Sequence, residues 1–496
     1  MTKQEVLQAI HVGSRVAEDE QQYLKRYFIQ TNEYKQLVKD SIDIIYGAKG
    51  TGKSAIYLHL IESKSLFLQS GILIIQAENE RGASAFNSVV EDPPTSEIAF
   101  RNIWKLYFTV LLYNEVDKLY GYNRELRRIG KLLRISGLLN RNRSLIEYFT
   151  DTYAYIKHSM PNAIETSISI DQNTGMISGF AGKICFSNPG QEASRQGLVN
   201  IDDLISELDR LLVRKQKIAW IVLDRLDAVF EANKLLEENA IRGLFKAYLD
   251  LKKYTNIRQK IFLRTDIWNK ITKKGFREGS HITRDITISW SKESILNLVV
   301  KRFIENAEIK SFYEIDKEAI LKGYEEQERL FYRIFPEQIE RGPRKSNTLN
   351  WIIFRTADAK GTITPREIIH LIIELINMQN ASLLMGKDGT ERENLFDRSL
   401  FKGSLELVSK VKMEQTIFSE YSELKDLITR FSEQKASNSL ASIKKILGVP
   451  KDEVSETLQQ LQDIGFIRKT ETDGSTYYEI PFIYRPYLKS IQGKSE

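Results

Sequence analysis

A glycine-rich loop ending in Lys53 and Ser54 is the part of the sequence whose residue types and spacing most directly suggest chemistry. It reads Gly47-Ala48-Lys49-Gly50-Thr51-Gly52-Lys53-Ser54. Glycines leave successive backbone N–H groups free to point at an anion, and a helix that begins at such a loop adds its positive end. In this pattern the lysine binds the β- and γ-phosphates and the serine hydroxyl binds Mg²⁺. The loop therefore predicts that residues 47–54 bind ATP with Mg²⁺.

The residues around the loop favour this interpretation over a chance glycine-rich turn. An apolar run at 42–46 predicts a strand before the loop, and a helical run at 55–61 follows it, as the motif requires. Lys49 lies four residues before Lys53, whereas the deviant phosphate loop of partition ATPases has its extra lysine five residues before. We therefore interpret Lys49 as a solvated lysine of the loop.

Carboxylates follow another apolar run, at residues 218–223, and predict the metal side of the site. Asp224 ends that run, which is typical of a Walker B strand, and is predicted to bind Mg²⁺. Asp227 is predicted to orient the attacking water, with Glu231 as its competitor. The alternative for both aspartates is that they cap the next helix.

Polar residues at later positions are candidates for sensing the γ-phosphate. Arg264 or Thr265, directly after an apolar run, would stand at a strand tip as a sensor. Arg284 is a candidate arginine finger that reaches the nucleotide of another subunit, with Arg277 as its rival. Arg366, at a helix start with proline, would be a lid arginine that reaches back to the nucleotide. The alternative for these arginines is an ordinary surface position or salt bridge.

Composition indicates a globular, multidomain protein. The chain has 496 residues, of which 42% are hydrophobic and 28% charged, enough for about two to four domains. The single cysteine, Cys185, excludes an intrachain disulfide and a cysteine-built zinc site. No apolar stretch reaches the length of a membrane span, and the start lacks a signal core, so we expect a cytoplasmic protein with no membrane partner.

The order of apolar runs predicts an α/β fold with a parallel sheet, a P-loop NTPase core, followed by helices. Continuous apolar runs suit strands that are covered on both faces. The predicted domains are an N-terminal helical segment at 1–40, the core at 41–290 with an insertion at about 118–195, a helical lid at 291–390, and linker helices with a winged helix at 391–496. Within the insertion, residues 167–179 resemble a hairpin.

Positive charge is concentrated in one segment. The net charge is +6, and residues 124–143 hold seven cationic side chains against Glu125 alone. Apolar residues interleave with the charges at helical spacing, which predicts a basic amphipathic helix. Nucleic acid could bind there through Arg124, Arg127, Arg128, Lys131 and Arg134. The alternative is an ordinary solvated helix face.

The tail from about residue 420 has the pattern of a winged helix. Helices at 439–447 and 452–464 are followed by a hairpin with its turn at 473–474. The second helix carries Asp452, Glu453, Glu456 and Asp463 but no basic residue. Acidic side chains oppose binding to phosphates, so we favour a protein-docking module over a DNA reader, although Arg468 and Lys469 on the wing argue the other way.

Several of these motifs together resemble a family of bacterial P-loop ATPases in the AAA+ and STAND group. The resemblance is carried by residues 47–54, Leu223-Asp224-Arg225-Leu226-Asp227, residues 262–266, Thr364-Pro365-Arg366 and residues 481–485. It implies an ATP-binding core, a helical lid and a winged helix that act as a switch, often in operons that defend bacteria against phage. Asp224 and Asp227 are not the adjacent Asp-Glu pair of typical AAA+ motors, so slow turnover is expected.

Three functions follow as hypotheses. The first is a Mg²⁺-dependent ATPase switch that forms a homo-oligomer and signals to a protein effector encoded by another gene. The second is a DNA-binding loader or remodelling ATPase of AAA+ type, for which binding should weaken steeply with salt. The third is an ATP-gated scaffold that does not hydrolyse.

Overall fold

The structure is a computed structural model, and it describes residues 1–77, 96–121, 123–139, 152, 154–155, 184–186, 197–226, 234–472 and 474–495. The predicted hairpin at 167–179 lies outside these residues, as do Asp227, Glu231 and the basic residues Arg141 and Arg143.

Strands and helices alternate in the first part of the chain, and helices predominate later. The strands are β1 (Ile44–Gly47), β2 (Ile72–Gln76), β3 (Ile184–Cys185), β4 (Val199–Asn200), β5 (Ile218–Leu223), β6 (Ile257–Arg264), β7 (Asp285–Thr287), β8 (Lys435–Ser439), β9 (Arg468–Thr472), β10 (Ser475–Glu479) and β11 (Ile491–Lys494). The earlier helices are α1 (Lys3–Ala9), α2 (Gln21–Tyr27), α3 (Asn32–Val38), α4 (Lys53–Glu62), α5 (Lys64–Gln69), α6 (Glu97–Tyr120), α7 (Arg124–Ile135), α8 (Ile201–Arg214), α9 (Lys234–Leu251) and α10 (Thr265–Lys273). The later helices are α11 (Lys292–Ile304), α12 (Ala307–Tyr313), α13 (Lys317–Leu321), α14 (Tyr324–Ile334), α15 (Thr348–Thr356), α16 (Pro365–Leu384), α17 (Leu400–Lys412), α18 (Phe418–Glu420), α19 (Lys425–Thr429), α20 (Leu440–Leu447), α21 (Val454–Asp463) and α22 (Arg485–Leu488).

The central sheet of the described residues is five-stranded and parallel, in the order β2-β5-β6-β1-β7. Its inner strands are buried, as continuous apolar sequences require. The edge strand β7 is largely exposed. A glycine-rich loop joins β1 to α4, which completes the strand, loop and helix of a phosphate loop. The predicted P-loop NTPase fold with a parallel sheet is confirmed.

Contacts within the chain divide it into two compact units. The sheet unit consists of residues 32–47 and 56–287. The loop unit consists of residues 1–31, 48–55 and 288–496, so it includes most of the phosphate loop. Within the N-terminal region, the boundary between the two units falls after Thr31. The predicted domain limits, including the N-terminal helical segment at 1–40, stay a prediction.

In the sheet unit, α6 packs on α9 and is buried along its middle, where all residues from 103 to 113 are buried. The indole Nε1 of Trp104 donates to the carbonyl of Ala240 at 3.0 Å. A Cβ added at Gly243 would lie 2.5 Å from the Cβ of Phe100, so the close approach of the two helices requires glycine there. This apolar layer covers the sheet and fixes the strands that end at the candidate site.

In the loop unit, an ion pair ties the N-terminal segment to α11. Nη2 of Arg302 lies 2.8 Å from Oε1 of Glu20, and both side chains are buried. Nη1 of Arg302 also donates to the carbonyl of Val12 at 2.6 Å. The N-terminal segment therefore belongs to the same packed body as the later helices.

The C-terminal part of the loop unit has the element order expected of a winged helix. A strand, β8, leads into α20 and α21, and the hairpin β9–β10 follows. Gly448 ends α20 in the left-handed conformation, with φ of +59°. The strand β11 pairs in parallel with β8 and was not predicted. Across the described residues, no helix combines the length and the apolar character needed to cross a membrane.

Candidate functional site

The phosphate loop has the backbone geometry that its sequence predicts. Gly50 and Gly52 have φ of +88° and +99°, a conformation that residues with a Cβ rarely adopt. The loop closes on itself, since the hydroxyl of Thr51 donates to the carbonyl of Ala48 at 2.8 Å. The ammonium of Lys53 donates to the same carbonyl at 3.1 Å, so its charge is held over the loop.

Two side chains from later in the chain lie against the loop within the loop unit. A Cβ added at Gly50 would lie 3.1 Å from the Cβ of Arg366 and 3.6 Å from its Nε. That Nε is buried and has no hydrogen-bond partner among the described residues. The indole of Trp290 donates to the carbonyl of Thr51 at 2.9 Å. The structure thus brings Arg366 to the loop, as the prediction of a lid arginine requires, whereas the contact of Trp290 was not predicted.

Lys49, which the sequence suggested to be a solvated lysine, has an ion-pair partner in the structure. Its ammonium forms an ion pair with the carboxylate of Glu420, and the two side chains are 33% and 21% exposed. The partners are 371 positions apart in the sequence. Sequence reasoning missed Glu420 because a contact over such a separation leaves no local pattern.

The carboxyl ends of β5, β6 and β1 lie along one edge of the sheet, in that order. Ligands of open parallel sheets bind at this edge. Asp224 directly follows β5 and is 3% exposed, and the next residue, Arg225, turns the chain with φ of +57°. Asp224 therefore has the strand-end position that the Walker B pattern predicts.

The end of β6 distinguishes the two candidate sensors. Nε and Nη2 of Arg264 lie 3.1 and 2.7 Å from the carboxylate oxygens of Asp266, so this guanidinium is held by a neighbour. The hydroxyl Oγ1 of Thr265 is buried and has no hydrogen-bond partner among the described residues. A buried hydroxyl without a partner is costly, so Thr265 is the residue at this strand end with an unused group to offer a ligand.

The predicted arginine finger, Arg284, lies at the opposite end of the strands. It precedes β7, and its Nε lies 2.7 Å from Oδ2 of Asp43, which precedes β1. Its Nη2 also donates to the carbonyl of Asp40. Arg284 must leave these partners to act on another subunit, and that role stays a prediction. Its rival, Arg277, is exposed at the start of a 3₁₀ segment.

A buried lysine completes what we call the amino-edge ion cluster, namely Asp40, Asp43, Lys260 and Arg284. Lys260 is fully buried, and its Nζ lies 2.5 Å from Oδ1 of Asp40 and 2.9 Å from Oδ1 of Asp43. Burial alone would raise the pKa of Asp43, but the charge of Lys260 and hydrogen bonds from Arg284 and Lys260 hold that pKa below its ordinary value. A lysine directly before the apolar run 261–263 was the sequence feature that could have indicated this cluster.

The basic helix α7 has the predicted amphipathic form. Leu126, Ile129 and Leu133 are buried. The exposed side chains are Arg124, Arg127, Arg128, Lys131 and Arg134. Arg128 forms an ion pair with Glu207, and Glu125 forms one with Arg214. In the C-terminal module, which we define as the elements from β8 to β11, Asp452, Glu453 and Glu456 near the start of α21 are exposed.

The comparisons with known proteins are distant. No protein-family model matches the chain. Over 299 residues it is 23% identical to a protein of Escherichia coli (strain K12) described as "Putative transposon gamma-delta 80.3 kDa protein". The match includes 58% of this chain and 39% of that protein, so the chain spans less than half the length of this relative.

The solved structures that are similar to this chain have low TM-scores. The Walker-type ATPase of Pyrococcus abyssi has a TM-score of 0.41 and 11% identity, over 93% of this chain and 96% of that chain. The ORC2 protein of Aeropyrum pernix, in ADPNP–ADP complexes, has a TM-score of 0.43 and 10% identity, over 97% and 93%. The ORC1 protein of the same organism, in complex with DNA, has a TM-score of 0.35 and 11% identity, over 96% of each chain. At TM-scores this low the similarity carries no argument, so the fold rests on the sheet order and loop of this chain.

Proposed function

We propose that the protein is an ATP-binding, Mg²⁺-dependent ATPase that acts as a molecular switch. The observation that carries the proposal is the loop after β1, where Gly50 and Gly52 have positive φ and Lys53 begins a helix. Successive N–H groups in such a loop bind phosphate oxygens, and the lysine adds a point charge.

Magnesium fits the residues present, although it needs the nucleotide as a co-ligand. Among the described residues no group of three or more His, Cys, Asp or Glu side chains could hold a metal ion by itself. Mg²⁺ prefers few carboxylates together with phosphate oxygens. We propose Ser54, through its hydroxyl, and Asp224, through its buried carboxylate, as the protein ligands of the ion. Bound there, the ion would neutralise phosphate charge. Asp227 is proposed to orient the attacking water.

The switch part of the proposal rests on the residues that touch the loop. Arg366 lies on Gly50 and Trp290 donates to Thr51, so a change in the loop reaches α16 and the segment before α11. A γ-phosphate that gains or loses a contact with Arg366 would shift the balance of conformations. Thr265 or Arg264 is proposed as the sensor at the end of β6.

The finer part of the proposal concerns partners. The resemblance to STAND-group ATPases supports a homo-oligomer that passes a signal to a separate protein effector, in bacterial anti-phage defence. Arg284 or Arg277 would act across the boundary between subunits. The winged-helix module, with its exposed acidic α21, is proposed to dock a protein.

Calorimetry with Mg²⁺ and ATP tests the proposal on the full chain. We expect Lys53→Ala to weaken ATP binding about a hundredfold, because charge-assisted hydrogen bonds to phosphate are lost. Lys39→Ala, which removes the same charge from an exposed position, should change nothing. If the Lys53→Ala and Lys39→Ala variants bind ATP as tightly as the unaltered chain, the proposal is wrong.

Phosphate release then separates an ATPase from a scaffold. Asp227→Ala should slow hydrolysis while it leaves ATP affinity unchanged, because it removes the group that orients water and not a phosphate contact. If the unaltered chain binds ATP tightly but releases no phosphate, alone or with DNA and with a candidate effector, the scaffold hypothesis is favoured.

A second candidate, a DNA-stimulated ATPase, is favoured by the exposed cations of α7. Each phosphate neutralised by a cation makes binding more sensitive to salt. Arg127→Glu combined with Lys131→Glu should reduce the dependence of DNA affinity on salt, with no change in ATP affinity. If duplex DNA neither binds nor stimulates hydrolysis at low salt, this candidate is excluded.

A further inference from the structure

Lys49 and Glu420 join the phosphate loop to a distant segment of the loop unit. Lys49 lies directly before Gly50, inside the loop, and its ammonium is paired with a carboxylate. Carboxylate and phosphate oxygens compete for the same kind of cation. The pair therefore places an anion of the protein itself at a cation of the proposed phosphate site.

Glu420 lies at the end of an extended helical segment. The helix α17 continues into a π-helical segment, Met413–Ile417, and then into α18, which Glu420 ends. The next residue, Tyr421, leaves the helical conformation with φ of −130° and ψ of 55°. Single π-helical turns inside helices occur frequently at functional sites. Glu420 is thus held by a helix whose last turns are irregular.

The same helical segment contacts two other parts of the loop unit. Nζ of Lys412 lies 2.8 Å from Oε1 of the buried Glu367, which is adjacent to Arg366. Near the C-terminus, the backbone N–H of Tyr487 donates to Ser409 at 3.2 Å, and the ring of Tyr487 lies 5.8 Å from that of Phe418. A movement at Glu420 would therefore reach α16 and the C-terminal module.

We propose that the side chain of Lys49 binds phosphate oxygens of the nucleotide and that Glu420 competes with the nucleotide for it. The proposal rests on the proposed function, since it needs a triphosphate at the loop. ATP binding exchanges the carboxylate of Glu420 for phosphate oxygens, which carry more negative charge, and so releases the end of α18. The C-terminal module senses the nucleotide through this release.

The partial exposure of the pair is what makes the exchange feasible. A pair at 33% and 21% exposure has modest strength, because water screens it. A ligand shifts an equilibrium only by its difference in affinity for the two states. The triphosphate oxygens therefore need only bind the ammonium of Lys49 more tightly than one carboxylate that water screens.

Calorimetry with Mg²⁺ and ATP on full-length variants tests the competition. Glu420→Gln should raise ATP affinity about two- to fivefold, because ATP would no longer have to displace an ion pair of that strength. Glu414→Gln is the matched control, because it makes the same change at an exposed residue of the same helical segment and should have no effect. Lys49→Gln should lower ATP affinity, and Glu420→Gln should add nothing in the Lys49→Gln background.

Hydrogen exchange gives a second measurement that a merely structural role would not change. Amides of residues 418–424 should exchange faster when ATP is added to the unaltered chain, and already without ATP in Glu420→Gln. The proposal is overturned if Glu420→Gln behaves like Glu414→Gln, if its effect persists in the Lys49→Gln background, or if ATP leaves these amides unchanged. If Lys53→Ala also leaves ATP binding unaffected, the proposed function fails as well.

Discussion

The amino-edge ion cluster and the pair of Lys49 with Glu420 join the same chemical groups under different degrees of burial. In the cluster, the side chain of Lys260 is fully buried and that of Asp43 is 4% exposed. In the pair of Lys49, both side chains reach water. Removing one partner of a buried pair leaves a charge without compensation, whereas water replaces the partner of an exposed charge. The cluster is therefore suited to hold the sheet together, and the pair is suited to exchange.

Asp43→Asn is expected to have the largest effect on stability. It leaves Lys260 buried with only Asp40 as a charged partner and should lower the free energy of unfolding by about 3 kcal/mol. Glu420→Gln, the same kind of change in the partly exposed pair, should lower the free energy of unfolding by about 0.5 kcal/mol or less. Urea denaturation of both variants measures the difference. If both variants lose the same unfolding free energy, the cluster and the pair do not differ in their contribution to stability, and the comparison is wrong.

Arg284→Ala should have an intermediate effect and also decides between two roles for this residue. The loss of charge-assisted hydrogen bonds to Asp43 and Asp40 should lower the free energy of unfolding by about 1.5 kcal/mol. A residue that also acts in trans would, when replaced, reduce hydrolysis in mixtures with unaltered subunits. Arg277→Ala, at an exposed position, should leave stability unchanged and is the matched test of the rival arginine finger.

Much of the fold follows from local sequence patterns, but the pairing of charges does not. A strand at 218–223 and a phosphate loop at 47–54 could be predicted, because each depends on a pattern of neighbouring residues. The amino-edge ion cluster brings Lys260 to Asp43, 217 positions away, and periodicity carries no information on that contact. The strand β11 was missed for the same reason, since it forms only by pairing with β8.

Acid should remove part of the stability that the amino-edge ion cluster contributes. We expect this to be the smallest effect, because only the share carried by ionised Asp43 is lost. Burial by itself would raise the pKa of Asp43. Lys260 and Arg284 outweigh burial, so the pKa of Asp43 in the folded protein is below its ordinary value. A lowered folded pKa contributes stability at pH above about 3.9, the unfolded value, and that stability is lost as the pH falls through the folded pKa. The difference in unfolding free energy between the unaltered chain and Asp43→Asn should therefore be constant from neutral pH to about pH 5 and shrink in stronger acid. Urea denaturation across that range measures it. A difference that grows in acid would mean that Asp43 is protonated in the fold, which would contradict its role as the anion of the cluster.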